Sequence, residues 1–413
     1  MTNAARVFIT GIGGFAGSYL ARYLLEQGSE VYGLVRRRAD SSIPPNIVQK
    51  NIQGSIHFLE GYLEEITSLE SALEISQPDV VYHLAAQSFV PRSFSHPIET
   101  AQINTIGTNN LLEAIRRKEI DPTIVFAGSS EEYGLVFSSQ AHHRTMVEKY
   151  GTIYPEPTRI PEVPITEANP LRPMSPYAVS KVCGDHLMRN YYYTYGVKGI
   201  VSRAFNHEGA GRGIMFVTSV ITSQIAQFCA GEINRITIGN VNAFRDWSHV
   251  MDTIRGYCLI AESGNPGDVY NQGSMRTTSV LSYLILGLET SGFPVDRIET
   301  LRNGKCVREP ASPDKTEIFG TSFEKTKVDR MILEGEIEFA LEDGGLIIHS
   351  GDRKIPVQFD PERFRPAEVP ILFSDTSKIQ ELGFRTNYSV RDIIQDQLNS
   401  FLHRDTNENR HLS

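Results

Sequence analysis

Three glycines, Gly11, Gly14 and Gly17, separate an apolar run at residues 6–10 (RVFIT) from a helical pattern that puts Tyr19, Leu20, Tyr23 and Leu24 on one face. Glycine allows a tight strand-to-helix turn and lets a phosphate approach the backbone. The free amides and dipole of the helix N-terminus there favour an anion. A purely structural turn is the alternative, but a strand before and a helix after are the context a dinucleotide loop requires. The alternation continues. Strand patterns at 30–35, 56–59, 79–83, 123–127 and 197–203 are interleaved with a helix capped by Thr67, an amphipathic helix over 97–118 and another over 177–195. This predicts an α/β chain, a Rossmann-type doubly wound parallel sheet.

A chain of 413 residues is long for one compact domain. Residues 1–205 are expected to form the nucleotide-binding domain and 206–413 mainly a smaller C-terminal α/β substrate-binding lobe. Residues 134–176 read as an active-site loop, and 303–354 as an insertion with a β-hairpin pairing 338–341 with 346–349. A net charge of −9 argues against general binding to nucleic acid or an anionic membrane. No apolar stretch is long enough to cross a bilayer, and the first residues run straight into a strand with no room for a signal peptide. Cys183, Cys229, Cys258 and Cys306 lack paired metal-ligand spacing, and His142 and His143 lack partners. Reduced thiols, no metal and a cytoplasmic location are expected.

Four further groups carry chemistry. Tyr177 and Lys181 stand at i and i+4, on one helix face, where an ammonium lowers a phenol's pKa and binds a cofactor ribose. Ser129-Ser130-Glu131 follows a strand that should end at the nicotinamide. It reads either as hydroxyl donors with a carboxylate base or simply as a helix N-cap. Arg36-Arg37-Arg38 closes the second strand with no acid before Asp40, which favours NADP over NAD; a solvated basic turn is the alternative. Arg212, Arg245 and Arg365 lie in polar loops and are either a bidentate diphosphate clamp or ordinary surface residues.

In order, Thr10-Gly11-x-x-Gly14-Phe15-x-Gly17, His83-Leu84-Ala85-Ala86-Gln87-Ser88, Ser129-Ser130-Glu131-Glu132-Tyr133-Gly134 and Ser175-Pro176-Tyr177-x3-Lys181 resemble the nucleotide-sugar branch of the extended short-chain dehydrogenase/reductase family. Phe205-Asn206-His207-Glu208, Arg212-Gly213, Arg245-Asp246-Trp247 and Phe364-Arg365-Pro366-x-Glu368 are similar to its 4,6-dehydratases for GDP-hexoses such as GDP-mannose. The resemblance implies that Tyr177 is the base for the sugar 4-hydroxyl, with Lys181 its electrostatic helper. Ser129 and Ser130 would hold that oxygen, and Glu131 would take the C5 proton. It places Gly11, Gly14, Phe15, Gly17, Arg36, Arg37, Leu84, Ala85, Ala86 and Lys181 against NADP. Gln87, Ser88, Asn206, Glu208, Arg212, Arg245, Arg365 and Glu368 would meet a GDP-sugar. It also implies a homodimer or homotetramer. The Ser-Ser-Glu-Glu string is shared with related NADPH-dependent 4-ketoreductases, so a GDP-4-keto-6-deoxy-sugar 4-reductase, or an epimerase, is the alternative.

Overall fold

The computed structural model describes residues 4–37, 39–40, 42–364 and 368–402. Seven parallel strands form the central sheet in the order Val269–Gln272, Gly199–Ala204, Thr123–Ala127, Val80–His83, Arg6–Thr10, Glu30–Val35 and Ile56–Glu60. The strands are near-continuous apolar runs because helices cover both faces. Phe15–Glu26 and Val250–Ser263 pack together on one face, and Ile66–Ser76, Gly107–Arg117 and Pro176–Tyr195 on the other. Arg6–Thr10 pairs with Glu30–Val35 on one side and Val80–His83 on the other. The strand order therefore reverses beside it, and a crevice opens at the carboxyl ends of the strands, where α/β sheets bind ligands.

Several expectations are corrected. The helix after the third strand starts at Ile66, with Glu65 at its N-cap, not Thr67. Ser68 ties that turn, its hydroxyl accepting the Tyr62 N–H at 3.0 Å. The long helix over 97–118 has three parts, because Gln102–Ile106 widens into a π-helical turn that buries Asn104. Residues 134–176 carry a helix, Gln140–Tyr150, and a buried ion pair. In that pair the two terminal guanidinium nitrogens of Arg172 each donate to the Glu162 carboxylate at 2.9 Å. The sheet also does not end at residue 205, since Val250–Ser263 and Val269–Gln272 return to it.

The second lobe is built on a five-stranded sheet ordered Cys306–Arg308, Arg297–Thr300, Gly345–Ser350, Arg353–Phe359 and Ile236–Ile238. Helices Val217–Cys229, Val280–Thr290 and Val390–Leu402 pack against one another beside it. The hairpin pairs Gly345–Ser350 with Arg353–Phe359 instead of 338–341 with 346–349. Buried Asp343 accepts the Ala340 N–H at 2.8 Å and pairs with Lys305 at 2.8 Å, which folds residues 340–343 into a corner. The turn falls at Gly351, whose φ of +53° suits glycine. The stretch 303–354 is fastened to the lobe by Asp329, whose carboxylate accepts the Ser279 N–H at 3.0 Å and the Ser282 hydroxyl at 2.8 Å. Among the described residues no helix is long and apolar enough to cross a membrane, and no group of three or more His, Cys, Asp or Glu is arranged to hold a metal.

Candidate active site

A cleft of about 960 Å³ runs along the carboxyl ends of the strands. Its floor is the glycine turn. Gly11 has φ +76°, and a Cβ there would sit 2.7 Å from the Ala85 amide nitrogen. A Cβ on Gly17 would lie 2.2 Å from the Gly11 carbonyl oxygen, so glycine is what lets the helix start against the strand. Behind the turn, His83 is fully buried between the hydroxyls of Thr10, at 2.7 Å, and Thr108, at 2.9 Å. Burial pushes its pKa down to about 3, so a neutral ring braces the end of the first strand against the helix Gly107–Arg117.

Gly11, Gly14, Phe15, Gly17, Leu84, Ala85 and Ala86 line this end of the cleft, with Arg36 and Arg37 at its rim. Arg38 lies outside the described residues. A side-chain-free turn at a helix N-terminus with two arginines beside it fits an adenine dinucleotide. Gly11, Gly14 and Gly17 are the residues that would admit its pyrophosphate.

Ser129, Ser130, Glu131, Tyr177 and Lys181 meet in the middle of the same cleft. The cap and the site coexist here. Ser129 Oγ accepts the Glu131 N–H at 3.2 Å, and the buried Glu132 carboxylate accepts the Ser129 N–H at 2.7 Å. This capping box fixes the turn that carries Glu131 into the cleft. Ser175 caps the helix of Tyr177 and Lys181 through the Ala178 N–H at 3.1 Å. Burial pushes the Tyr177 phenol up, and its hydrogen bond with Ser129 opposes that shift. Lys181 donates to the Ala127 carbonyl at 2.7 Å, and in place of the expected lowering, burial dominates and raises the phenol. Lys181 is buried itself, which brings its pKa down to about 8.

The residues expected at the sugar nucleotide divide. Ser88, Asn206 and Arg212 line the cleft. Asn206 Oδ1 is buried and, among the described residues, without a hydrogen-bond partner. The Arg212 guanidinium stacks on Phe216 at 3.6 Å and lies 3.4 Å from Glu208. The lining described leaves out Gln87, Glu208, Arg245 and Glu368. Gln87 is used by the Phe89 N–H at 2.7 Å and by Thr100 at 3.2 Å. Arg245 pairs with Glu368 at 2.7 Å and donates to the Val369 carbonyl at 2.7 Å. Arg365 lies outside the described residues. Phe216, His207 and Tyr257 line the cleft and had not been singled out as site residues. Tyr257 sits on the apolar face of Val250–Ser263, a position indistinguishable from core packing in a sequence.

The family model for the NAD dependent epimerase/dehydratase family matches residues 7–273. A GDP-mannose 4,6-dehydratase of Sinorhizobium fredii (strain HH103) is 30% identical over 398 residues, covering 95% of each chain. In fold the chain is similar to RMD from Pseudomonas aeruginosa complexed with NADPH (TM-score 0.64, 23% identity, 97% of this chain and 100% of that one). It is likewise similar to dTDP-glucose 4,6-dehydratase of Bacillus anthracis str. Ames in complex with NAD (TM-score 0.66, 19% identity, 98% of both chains). The chain belongs to the NAD dependent epimerase/dehydratase family, within the extended short-chain dehydrogenases/reductases.

Proposed function

We propose that the chain is a nucleotide-sugar 4,6-dehydratase that takes GDP-mannose or a close GDP-hexose and recycles NADP. The observation that carries this reading is a carboxylate, Glu131, in the same cleft as Tyr177, Ser129 and Lys181. Moving a hydride on and off an alcohol needs the last three; an added carboxylate suits removal of a carbon-bound proton. A nicotinamide, when bound in the cleft, would supply reversible hydride acceptance, from C4 of the sugar and back to C6. Tyr177 receives the proton of the 4-hydroxyl while Ser129 and Ser130 hold that oxygen. The resulting 4-ketone acidifies C5–H, and Glu131 takes that proton and passes it to the departing C6 hydroxyl, which leaves as water. When hydride is restored at C6, the proton that Tyr177 received is returned to C5, which resets both side chains. Tyr177 and Lys181 sit in a dry environment that strengthens each of these interactions. Asn206 and Arg212 would meet the diphosphate, and Arg36 and Arg37 favour a 2′-phosphate. We also place the protein in the cytoplasm as a homodimer or homotetramer; Ile98, Val179, Tyr193 and Tyr195 leave apolar surface exposed on helices of one sheet face.

A second reading, a 4-ketoreductase, is favoured by Ser129-Ser130-Glu131-Glu132. Mass spectrometry of GDP-mannose incubated with the protein and a catalytic trace of NADP⁺ separates the two. Loss of one water without net cofactor consumption supports the dehydratase; an unchanged mass overturns it.

A further inference from the structure

The segment that brings Arg212 to the cleft contains Gly209, Gly211 and Gly213, and Gly209 and Gly211 have φ of +153° and +81°. Such a chain has little stiffness of its own, so the direction of the guanidinium must be set from outside. Two adjacent residues of the C-terminal helix Val390–Leu402 supply that. Asp396 Oδ2 accepts the Ala210 N–H at 2.7 Å and lies 3.2 Å from His249 Nε2. The Ala210 carbonyl is held in turn by the Tyr19 hydroxyl at 2.8 Å. Gln397 is 1% exposed. It accepts the Tyr283 hydroxyl at 2.8 Å and donates to Thr218 Oγ1 at 3.2 Å. Thr218 donates to Glu208 at 2.6 Å, and that same Glu208 oxygen is 3.4 Å from Arg212 Nε.

One helix therefore fastens both ends of the Arg212 segment, at Ala210 through Asp396 and at Glu208 and Thr218 through Gln397. We propose that Asp396 and Gln397 are positioning residues that present Arg212 to the diphosphate of the nucleotide sugar. This rests on the reading above, in which Arg212 meets that diphosphate. It also gives Glu208 a role: the carboxylate orients Arg212 from behind the cleft wall.

The test is GDP binding to the full chain by calorimetry, alongside steady-state turnover, thermal midpoint and NADPH affinity. Gln397→Met keeps the volume and removes the hydrogen bonds. Asp396→Ala removes the acceptor, and Asp396→Asn keeps one. Gln395→Ala, exposed on the same helix, is the control. Gln397→Met and Asp396→Ala are expected to weaken GDP binding and raise KM roughly 10-fold, the scale of a misplaced binding group. kcat and NADPH affinity should stay near wild type, and Asp396→Asn should restore binding. Gln397→Met leaves the buried Tyr283 hydroxyl without its acceptor and should lower the thermal midpoint by a few degrees, with the chain still folded at assay temperature. In an Arg212→Ala background, Gln397→Met should add nothing further. Wild-type GDP affinity in Gln397→Met and Asp396→Ala, with Arg212→Ala weakened, overturns the positioning role and leaves the diphosphate reading intact. Additive losses in the double variant do the same. Wild-type affinity in Arg212→Ala overturns both, as does a wild-type chain that binds neither GDP nor UDP.

Discussion

Lys181 Nζ donates to the carbonyl oxygen of Ala127 at 2.7 Å and stands 4.8 Å above the ring of Phe126. The helix of Tyr177 and the strand that ends at Ser129 are thus joined by a buried cation, which couples the placement of two parts of the site.

That cation leaves a mark on stability. Burial lowers the Lys181 pKa from 10.5 to about 8. Between those values the unfolded chain holds a proton that the native chain has released, so native stability rises with pH across the window. Urea unfolding of wild type and Lys181→Met, compared from pH 7 to pH 10, should show wild type gaining on the variant above about pH 8. Parallel curves would contradict this.

Glu131→Gln keeps the shape of the side chain and removes its basicity. Binding of GDP-mannose and oxidation at C4 should persist, while water loss slows by roughly 10²–10⁴-fold, the usual contribution of a positioned base. Absorbance of reduced cofactor accumulating on the variant in a single turnover would report the block. Unchanged turnover would remove Glu131 from the mechanism.

Arg36 and Arg37 stand at the rim of the cleft, with Arg37 only 4.0 Å from Glu60. Replacing both by Ala should weaken NADPH binding roughly 10- to 100-fold, the cost of losing charged hydrogen bonds, and leave NADH nearly untouched. Fluorescence titration with the two cofactors measures the ratio. Equal losses for both would argue for a solvated turn.

The loop 134–176 depends on its inner ion pair. Glu162→Ala leaves the Arg172 guanidinium buried without its carboxylate, an error that costs about 3–5 kcal/mol. Equilibrium denaturation should register most of that loss.

The seven-stranded sheet was legible because its inner strands are almost wholly buried apolar runs, and the glycine turn because backbone geometry there admits few other residues. Ser129, Glu131, Tyr177 and Lys181 were legible as a set from strand-end position and helical spacing, and the structure brings them into one cleft. Other features depend on contacts between distant residues. Arg245 reads like a loop cation, yet its partners are Glu368 and the Val369 carbonyl, more than a hundred positions away. The hairpin was misplaced because the diglycine at 344–345 resembles a two-residue turn, whereas Asp343 is drawn inward by Lys305 and Asn303. Tyr257 carries no local signal separating a cleft wall from a core.

The pairing of Ile236–Ile238 with Val357, Gln358 and Phe359 has a consequence for biosynthesis. When residue 273 leaves the ribosome, every strand of the seven-stranded sheet has been delivered. The edge at 236–238, by contrast, must wait for the stretch 353–359 before its amides and carbonyls find that neighbour. The sheet of the dinucleotide half can therefore assemble on the nascent chain well before that of the sugar half. Until then, 236–238 is an unpaired edge open to unwanted partners. A chain cut short anywhere between 273 and 352 would carry that edge permanently.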